Sequence, residues 1–401
     1  MNEWVKRLGF VMICLSGSLI YALDISDAGR LHVDPNATVL NKLYGYHLYH
    51  HQIGYVDGVD QNGNDFNETA EEFRRAWLGV HGTLFKVLKF KAVSQLSNDR
   101  NYLEGQHRQW GHETFRNFNF QIDVKKLMHL DSVDSLVVGY GRRSMKLADE
   151  WQRSASHIMT LERSAFSNAL WPNDSFSSHP VGTWVKWKDE GSVYDFGVFS
   201  GAYSDWLAGW NQSTVYFGSY HHDFSANSAW DEHGVWVSGY YQDSDTGDQV
   251  LANGDEWGSA LVGVIGKDQW TLHMTLGLAG NGANSRAERE GLWGGGVVMP
   301  TYWVVPDKLK WVNRYALQLS EEAQGVRLNS RYARIGENND DSININSGYG
   351  DAHHSFYSGL NYHFAGENLK ILGGIQYDDL ESNGQHIYKG WTTGFGFRSY
   401  F

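Results

Sequence analysis

Along most of the chain two kinds of side chain alternate with a period of two, the periodicity of β-strands whose faces meet different surroundings. In FRNFNFQIDV, Phe118, Phe120, Ile122 and Val124 share one face, with Asn117, Asn119, Gln121 and Asp123 opposite. QWTLHMTLGL sets Trp270, Leu272, Met274, Leu276 and Leu278 against Gln269, Thr271, His273 and Thr275. HSFYSGLNYHF sets Phe356, Leu360, Tyr362 and Phe364 against Asn361 and His363. The closing WTTGFGFRSYF puts Trp391, Phe395, Phe397 and Phe401 on one face and Gly394, Gly396, Arg398 and Tyr400 on the other. The alternation predicts sixteen strands, near 43–55, 72–81, 88–98, 114–124, 134–142, 181–188, 193–201, 213–221, 233–242, 256–265, 268–278, 292–303, 309–320, 353–364, 367–378 and 389–401. Each approaches the ~9–11 residues a tilted strand needs to cross a bilayer.

The connections separate into two lengths. KDEG (188–191), GKD (266–268), VPDK (305–308) and AGEN (365–368) are tight turns. Longer polar stretches lie at 56–71, 99–113, 143–180, 202–212, 243–255, 279–291, 321–352 and 379–388. Short and long mostly alternate, with 222–232 long where a short turn is due. A membrane barrel with short turns at one end and long loops at the other produces this order, and a soluble sandwich has no reason to. The expected fold is therefore all-β: a transmembrane antiparallel β-barrel of about sixteen strands. Its last strand closes on its first, so no backbone edge is left unpaired in hydrocarbon.

Composition fits. Forty-five glycines, five prolines and 14% aromatic residues suit twisted, closely approaching strands. A mean hydropathy of -0.46 averages an apolar and a polar face. Residues 1–22 carry Lys6 and Arg7, an apolar run from Leu8 to Leu15, and small residues ending at Ala22. That is the layout of a secretory signal peptide, leaving 23–401 as a single barrel domain and removing Cys14, the one cysteine. A net charge of -13 argues against nucleic acid as a partner.

Three stretches resemble the phosphate- and polyphosphate-selective porins (the porin O and P type) of Gram-negative bacteria. They are EEFRRAWLGVHGTLFKVLKFKAVSQLS (71–97), IMTLERSAFSNAL (158–170) and YSGLNYHFAGENLKILGGIQY (357–377). The resemblance implies a sixteen-stranded homotrimer in the outer membrane that passes small anions, with the third outer loop folded into the lumen. Independently, the terminal aromatic Phe401 resembles the address read by the barrel-insertion machinery, and outer-membrane lipids are expected around the barrel.

The third outer loop, 143–180, is the longest connection. It holds Arg143, Lys146, Arg153 and Arg163 beside the acids Asp149, Glu150, Glu162 and Asp174, so its charges cancel. Two arrangements suit such a loop: acids facing bases across the aperture, or Glu162 and Arg163 pinning the loop through salt bridges. Parity sends further bases inward: Arg75 with Trp77 and His81, Lys89 and Lys91, Arg314, and Arg398. Arginine forks bind oxyanions bidentately, which would suit phosphate. Asp123, Asp195 and Asp378 point inward too, and the acidic balance favours general passage of small hydrophilic solutes.

Other chemistry is thinner. Seventeen tryptophans raise a carbohydrate-selective porin as an alternative, although most suit interface girdles. An outer-membrane barrel enzyme is the remaining alternative, but the chain has no G-x-S-x-G or H-E-x-x-H. DQNGND (60–65) spaces Asp60, Asn62 and Asn64 like a calcium loop, yet no glutamate closes it. The adjacent pairs His50-His51, His221-His222 and His353-His354 point to opposite strand faces. No metal or other cofactor is expected.

Overall fold

The computed structural model describes residues 28–97, 110–172, 179–201, 209–210, 212–245, 247–248, 250–251, 255–282, 287–328 and 330–401. The expected signal peptide, with Cys14, lies outside the described residues. Nineteen strands occur among them. The first ten are β1 (Arg30–Val33), β2 (Leu40–Asp60), β3 (Asp65–Leu84), β4 (Leu88–Ser97), β5 (Trp110–Asp123), β6 (Ser135–Arg142), β7 (Val181–Asp189), β8 (Ser192–Ser200), β9 (Thr214–Asp223) and β10 (Glu232–Asp243). Then come β11 (Asp255–Lys267), β12 (Trp270–Asn281), β13 (Gly291–Val305), β14 (Leu309–Ser320), β15 (Val326–Arg327), β16 (Tyr349–Gly350), β17 (Ala352–His363), β18 (Leu369–Ser382) and β19 (Gln385–Tyr400).

Sixteen of these, all but β1, β15 and β16, pair antiparallel with their chain neighbours. The ring closes where β19 runs along β2, from Tyr388 opposite Asp60 to Tyr400 opposite Leu48. Every predicted strand corresponds to one barrel strand. Large apolar side chains stand outward on all sides: Leu276 is 62% exposed, and Phe120, Leu261, Phe356 and Trp391 are exposed as well. Their strand neighbours Asn119, His273, Thr275, Asn361 and Arg398 are buried on the inner side. Among the described residues no helix is long and apolar enough to cross a membrane. An outward apolar surface around a closed ring does so with strands. The chain is a transmembrane β-barrel.

Two expected long loops are instead strand. β2 and β3 continue to a turn at residues 61–64, and β18 and β19 to one at Asn383 and Gly384. Asn383 and Gly384 have φ of 53° and 73°, a type I′ Asn-Gly turn. Alternation persists there with its sense reversed. Val56, Phe66, Ile387 and Tyr388 are buried inside, while Asp57, Asn67, Glu71 and Val59 face out. Above the bilayer the outside is water, and the inside is covered by protein, so the polar face changes sides. The long connection at 224–231 sits at the short-turn end, holds a 3-10 turn at Ser225–Asn227, and is clasped by Phe224 N–H donating to His233 O (2.7 Å).

Two loops fold into the barrel. The third, between β6 and β7, carries helix α2 (Asp149–Gln152), a 3-10 turn (Ala155–His157) and helix α3 (Ala165–Ala169); helix α1 (Val124–Met128) follows β5. Its Met145, Leu147, Met159, Phe166 and Leu170 pack with the inward Val297, Met299, Val312 and Ala316 in one cluster. The seventh loop, between β14 and β17, carries helix α4 (Arg331–Asn339), whose Tyr332, Ala333 and Ile335 join the same cluster. Each buried side chain of this size contributes about 1.5–3 kcal/mol. A barrel of this width would otherwise hold water, so the two loops build a core inside it.

Candidate functional site

The third loop is fixed backbone atom by backbone atom. Five consecutive carbonyls, Ile158 to Glu162, are each met by a side chain of the barrel wall. Arg398 donates to Ile158 O (2.5 Å), Thr160 O (2.8 Å) and Leu161 O (2.9 Å). Asn361 donates to Met159 O (2.7 Å), and Arg314 to Glu162 O (2.8 Å). Lys370 adds a second contact to Ile158 O (3.3 Å) and pairs with Glu367. Leu161 then lies flat against β19 because position 394 is glycine: a Cβ there would sit 2.5 Å from the Leu161 side chain.

Charges finish the attachment. Glu162 meets Arg74 Nε (2.7 Å) and both terminal nitrogens of Arg75 (3.2 and 3.3 Å). Glu150 accepts from Arg314 (2.8 Å) and from Ser164 N–H (3.0 Å). Burial opposes the charge on Glu162, yet Arg74 and Arg75 hold its carboxyl well below the usual carboxylate range. Arg163 lies over the Trp151 ring (3.6 Å) and donates to Glu150 O (2.7 Å).

The predicted residues therefore divide. Arg75, Arg314 and Arg398, with Glu150, Glu162 and Arg163, come together under the third loop, and their bonds are spent holding it. Arg153 donates to Asp149 (3.3 Å) and to Nδ1 of His273 (2.8 Å) on β12; burial pushes the Asp149 carboxyl up. Lys89 stands apart at the turn end, 3.3 Å from Asp123. Arg143 pairs with Asp195 (2.7 Å) over the Trp184 ring (4.8 Å).

Lys91 and Lys146 lie elsewhere. Among the described residues neither has a carboxylate partner: Lys91 stands over the Tyr46 ring (4.6 Å), and Lys146 donates to Gln152 O (2.8 Å). Burial, then repulsion from Lys186, Arg163, Lys91 and Arg143, brings Lys146 down to about 8. Lys186 is exposed on β7, two residues beyond the inward Trp184. The loop thus leans on the wall formed by β12 to β14, β17 to β19, β2 and β3. Opposite it, β4 to β7 carry lysines toward the space left open.

Sequence reasoning missed the seventh loop. Arg331 pairs with Glu72 (2.7 Å), and Gln52 donates to Tyr332 Oη (3.1 Å). The Tyr332 ring fits because a Cβ at Gly54 would lie 2.5 Å from it. A cavity of about 60 Å³ between the two loops is lined by Gln52, Glu72, Glu162, Arg331 and Tyr357. Gln52 has an inward parity that the alternation could have assigned, but the register shift opposite His50 and His51 makes Arg74 an extra residue, so Arg74 and Glu72 face inward out of phase with Arg75. The apolar inner residues Val56 and Phe66 were the one signal that something covers them. The DQNGND stretch is a turn: Asp60 accepts from Asn62 N–H (2.9 Å), Asn64 N–H (2.8 Å) and, on the seventh loop, Asn344 N–H (2.8 Å).

No family profile and no curated protein sequence matches the chain. Solved structures do. OprB of Pseudomonas putida matches with a TM-score of 0.55 at 12% identity, over 89% of this chain and 94% of that one. The outer membrane channel DcaP of Acinetobacter baumannii matches at 0.53 and 12%, over 90% and 97%. OmpT, an outer membrane protein of Vibrio cholerae, matches at 0.52 and 10%, over 91% and 100%. The fold is that of outer-membrane barrels. At such identities the likeness reaches no further than the fold.

Proposed function

We propose that the protein is an outer-membrane channel through which small hydrophilic solutes diffuse passively, with a bias toward anions. The observation that carries the reading is the one-sided attachment of the third loop. It neutralises the wall it covers and leaves Lys91, Lys146 and Lys186 around the remaining passage. In a narrow, low-dielectric-walled passage such charges raise the local concentration of anions. Phosphate is one anion of suitable size, but Arg75, Arg314 and Arg398, whose forks would suit it, are engaged with the loop. Trp77, Trp151, Trp171, Trp184 and Trp293 are buried, which leaves them no free face for a passing sugar. The interior side chains near the loop are used for packing, so the reading is of a non-catalytic channel.

The outward face of β2 supports contact with further copies of the chain. His47, Tyr49 and His51 stand there between β3 and β19, where lipid would otherwise meet imidazoles. A homotrimer would cover them. Phe401, stacked on His47 (4.9 Å), is exposed and offers itself to insertion machinery.

The test is electrical. Purified protein in planar bilayers under a salt gradient should give stable open steps with a reversal potential on the anion side. Absence of steps would sink the channel; a cation-side potential would sink the anion bias alone.

A further inference from the structure

On the outer face of the β18–β19 hairpin, Asp379, Glu381 and His386 converge. One ligand atom from each lies within 4.8 Å of the others. Asp379 Oδ1 is 2.8 Å and Glu381 Oε1 3.4 Å from the same nitrogen, Nδ1 of His386. The strands put them there for a definite reason. Asp379 and Glu381 are two residues apart on β18 and so share a face. His386 lies opposite Glu381, and the register slips between Leu380, opposite Tyr388, and Glu381. The extra residue, Ile387, is buried beside Tyr388, so two successive side chains point inward and His386 is turned back to the outside. Re-aiming one side chain in this way is what a β-bulge does.

The cluster is not satisfied as it stands. One imidazole nitrogen carries at most one proton, so it can donate to one carboxylate and not to both. Even a charged imidazolium would leave the trio with a net negative charge. Lys389 faces Asp379 across the ladder, but no ion pair between them occurs. A divalent cation in place of that proton would bind all three atoms. Nitrogen and oxygen ligands at ~2.1 Å in a tetrahedral site stand about 3.4 Å apart, in the range of the two separations from His386 Nδ1. The mixed donor set also points to a class of ion. Carboxylates alone would take calcium or magnesium, whereas an imidazole nitrogen favours zinc, copper or nickel.

We infer that Asp379, Glu381 and His386 form a binding site for a divalent transition-metal ion, with water completing the coordination, on the outward face of this hairpin. The ion would clamp β18 to β19, the strand that closes the barrel, beyond the Trp391–Tyr377 aromatic pair. Access is open: the His386 side chain is 45% exposed. The site is independent of the lumen and of the proposed solute.

The experiment is calorimetric titration of the detergent-solubilised, chelator-stripped full chain with zinc chloride and, separately, magnesium chloride. One zinc ion per chain is expected, bound at least about tenfold more tightly than magnesium. His386→Ala should weaken zinc by at least about tenfold, and the double change Asp379→Asn, Glu381→Gln should abolish it. Copper bound to the native chain should show hyperfine coupling to an imidazole nitrogen that disappears in His386→Ala. All three positions face solvent, and retained strand circular dichroism would show that the variants fold. No saturable zinc binding, equal binding of magnesium, or zinc affinity unchanged in His386→Ala would each overturn the site.

Discussion

Replacing Glu162 by glutamine removes one charge from a cluster in which it faces two guanidinium groups. Arg74 and Arg75 approach it at 2.7 and 3.2 Å, and the Glu162 side chain is only 20% exposed. Removing one partner of a buried pair costs about 3–5 kcal/mol, because the other charge stays buried without its counterion. Partial exposure of Glu162 and Arg74 favours the lower end, ~3 kcal/mol, and at 1.4 kcal/mol per decade that is on the order of a hundredfold. The loss falls on the tip of the third loop alone. Arg398 still holds Thr160 and Leu161, and Phe166 and Leu170 remain packed. The expected result is a barrel of unchanged stability whose segment 158–164 leaves the wall roughly a hundred times more often. Single-channel recordings should then show frequent brief changes of conductance that the native protein lacks. Heat-induced unfolding, followed by gel mobility, should stay the same. Traces indistinguishable from the native ones would refute the latch, since both arginines would then be content without the carboxylate.

The same contact has a defined dependence on acid. Burial raises the Glu162 carboxyl, but Arg74 and Arg75 outweigh it and hold the value well below the usual carboxylate range. A group depressed in the attached state stabilises attachment above its free value, ~4.3, and loses that contribution as pH falls through the depressed value. Native channels should stay quiet at pH 4.5, become noisy only in stronger acid, and the glutamine variant should show no such transition.

Two other predictions follow from the passage and the outer wall. Lys146, brought down to about 8 by burial and by its cationic neighbours, loses charge as pH rises through that value. Anion preference, read from reversal potentials, should decline between pH 7 and 9, and Lys146→Gln should start low and stay flat. Leu276→Arg places a charge on the most exposed part of the lipid face and should cost about 2–4 kcal/mol in urea titrations of vesicle-embedded protein. Ser219→Arg on the inner side of β9, where no hydrocarbon opposes the charge, should cost clearly less than Leu276→Arg in the same titration.

The strands were legible because each separates two solvents, and alternation survives errors of a residue or two at the ends. Where the solvents exchange sides the pattern misled. Asp57, Asn67 and Glu71 read as loop, although Val56, Phe66 and Tyr388 keep the period with the apolar side inward. The Asn383-Gly384 dipeptide was a hairpin signal that the polar stretch around it concealed. Parity chooses a face for each base, but it says nothing about what meets that base. Arg75 and Glu162 are 87 residues apart, and Arg314 and Glu150 are 164 apart. Such pairs join segments far apart along the chain, and no local spacing encodes them.

That separation decides how the interior charges are to be understood. An arginine inside a wide barrel has three ways to meet its hydrogen-bonding needs: water, a passing anion, or protein. Arg398 gives its donors to three carbonyls and to His50, and Arg314 meets Glu150, Thr160, Glu162 and Gln376. Neither retains the bidentate face that an oxyanion would need. Lysine behaves differently: Lys91, on the opposite wall, stands on a tyrosine ring, and Lys146, on the loop itself, makes one contact to a carbonyl. An ammonium group has three donors on a flexible stem, so either residue can turn to a solute without dismantling anything. The two cations thus divide the labour, with rigid forks building the inner wall and mobile point charges left for what moves past it.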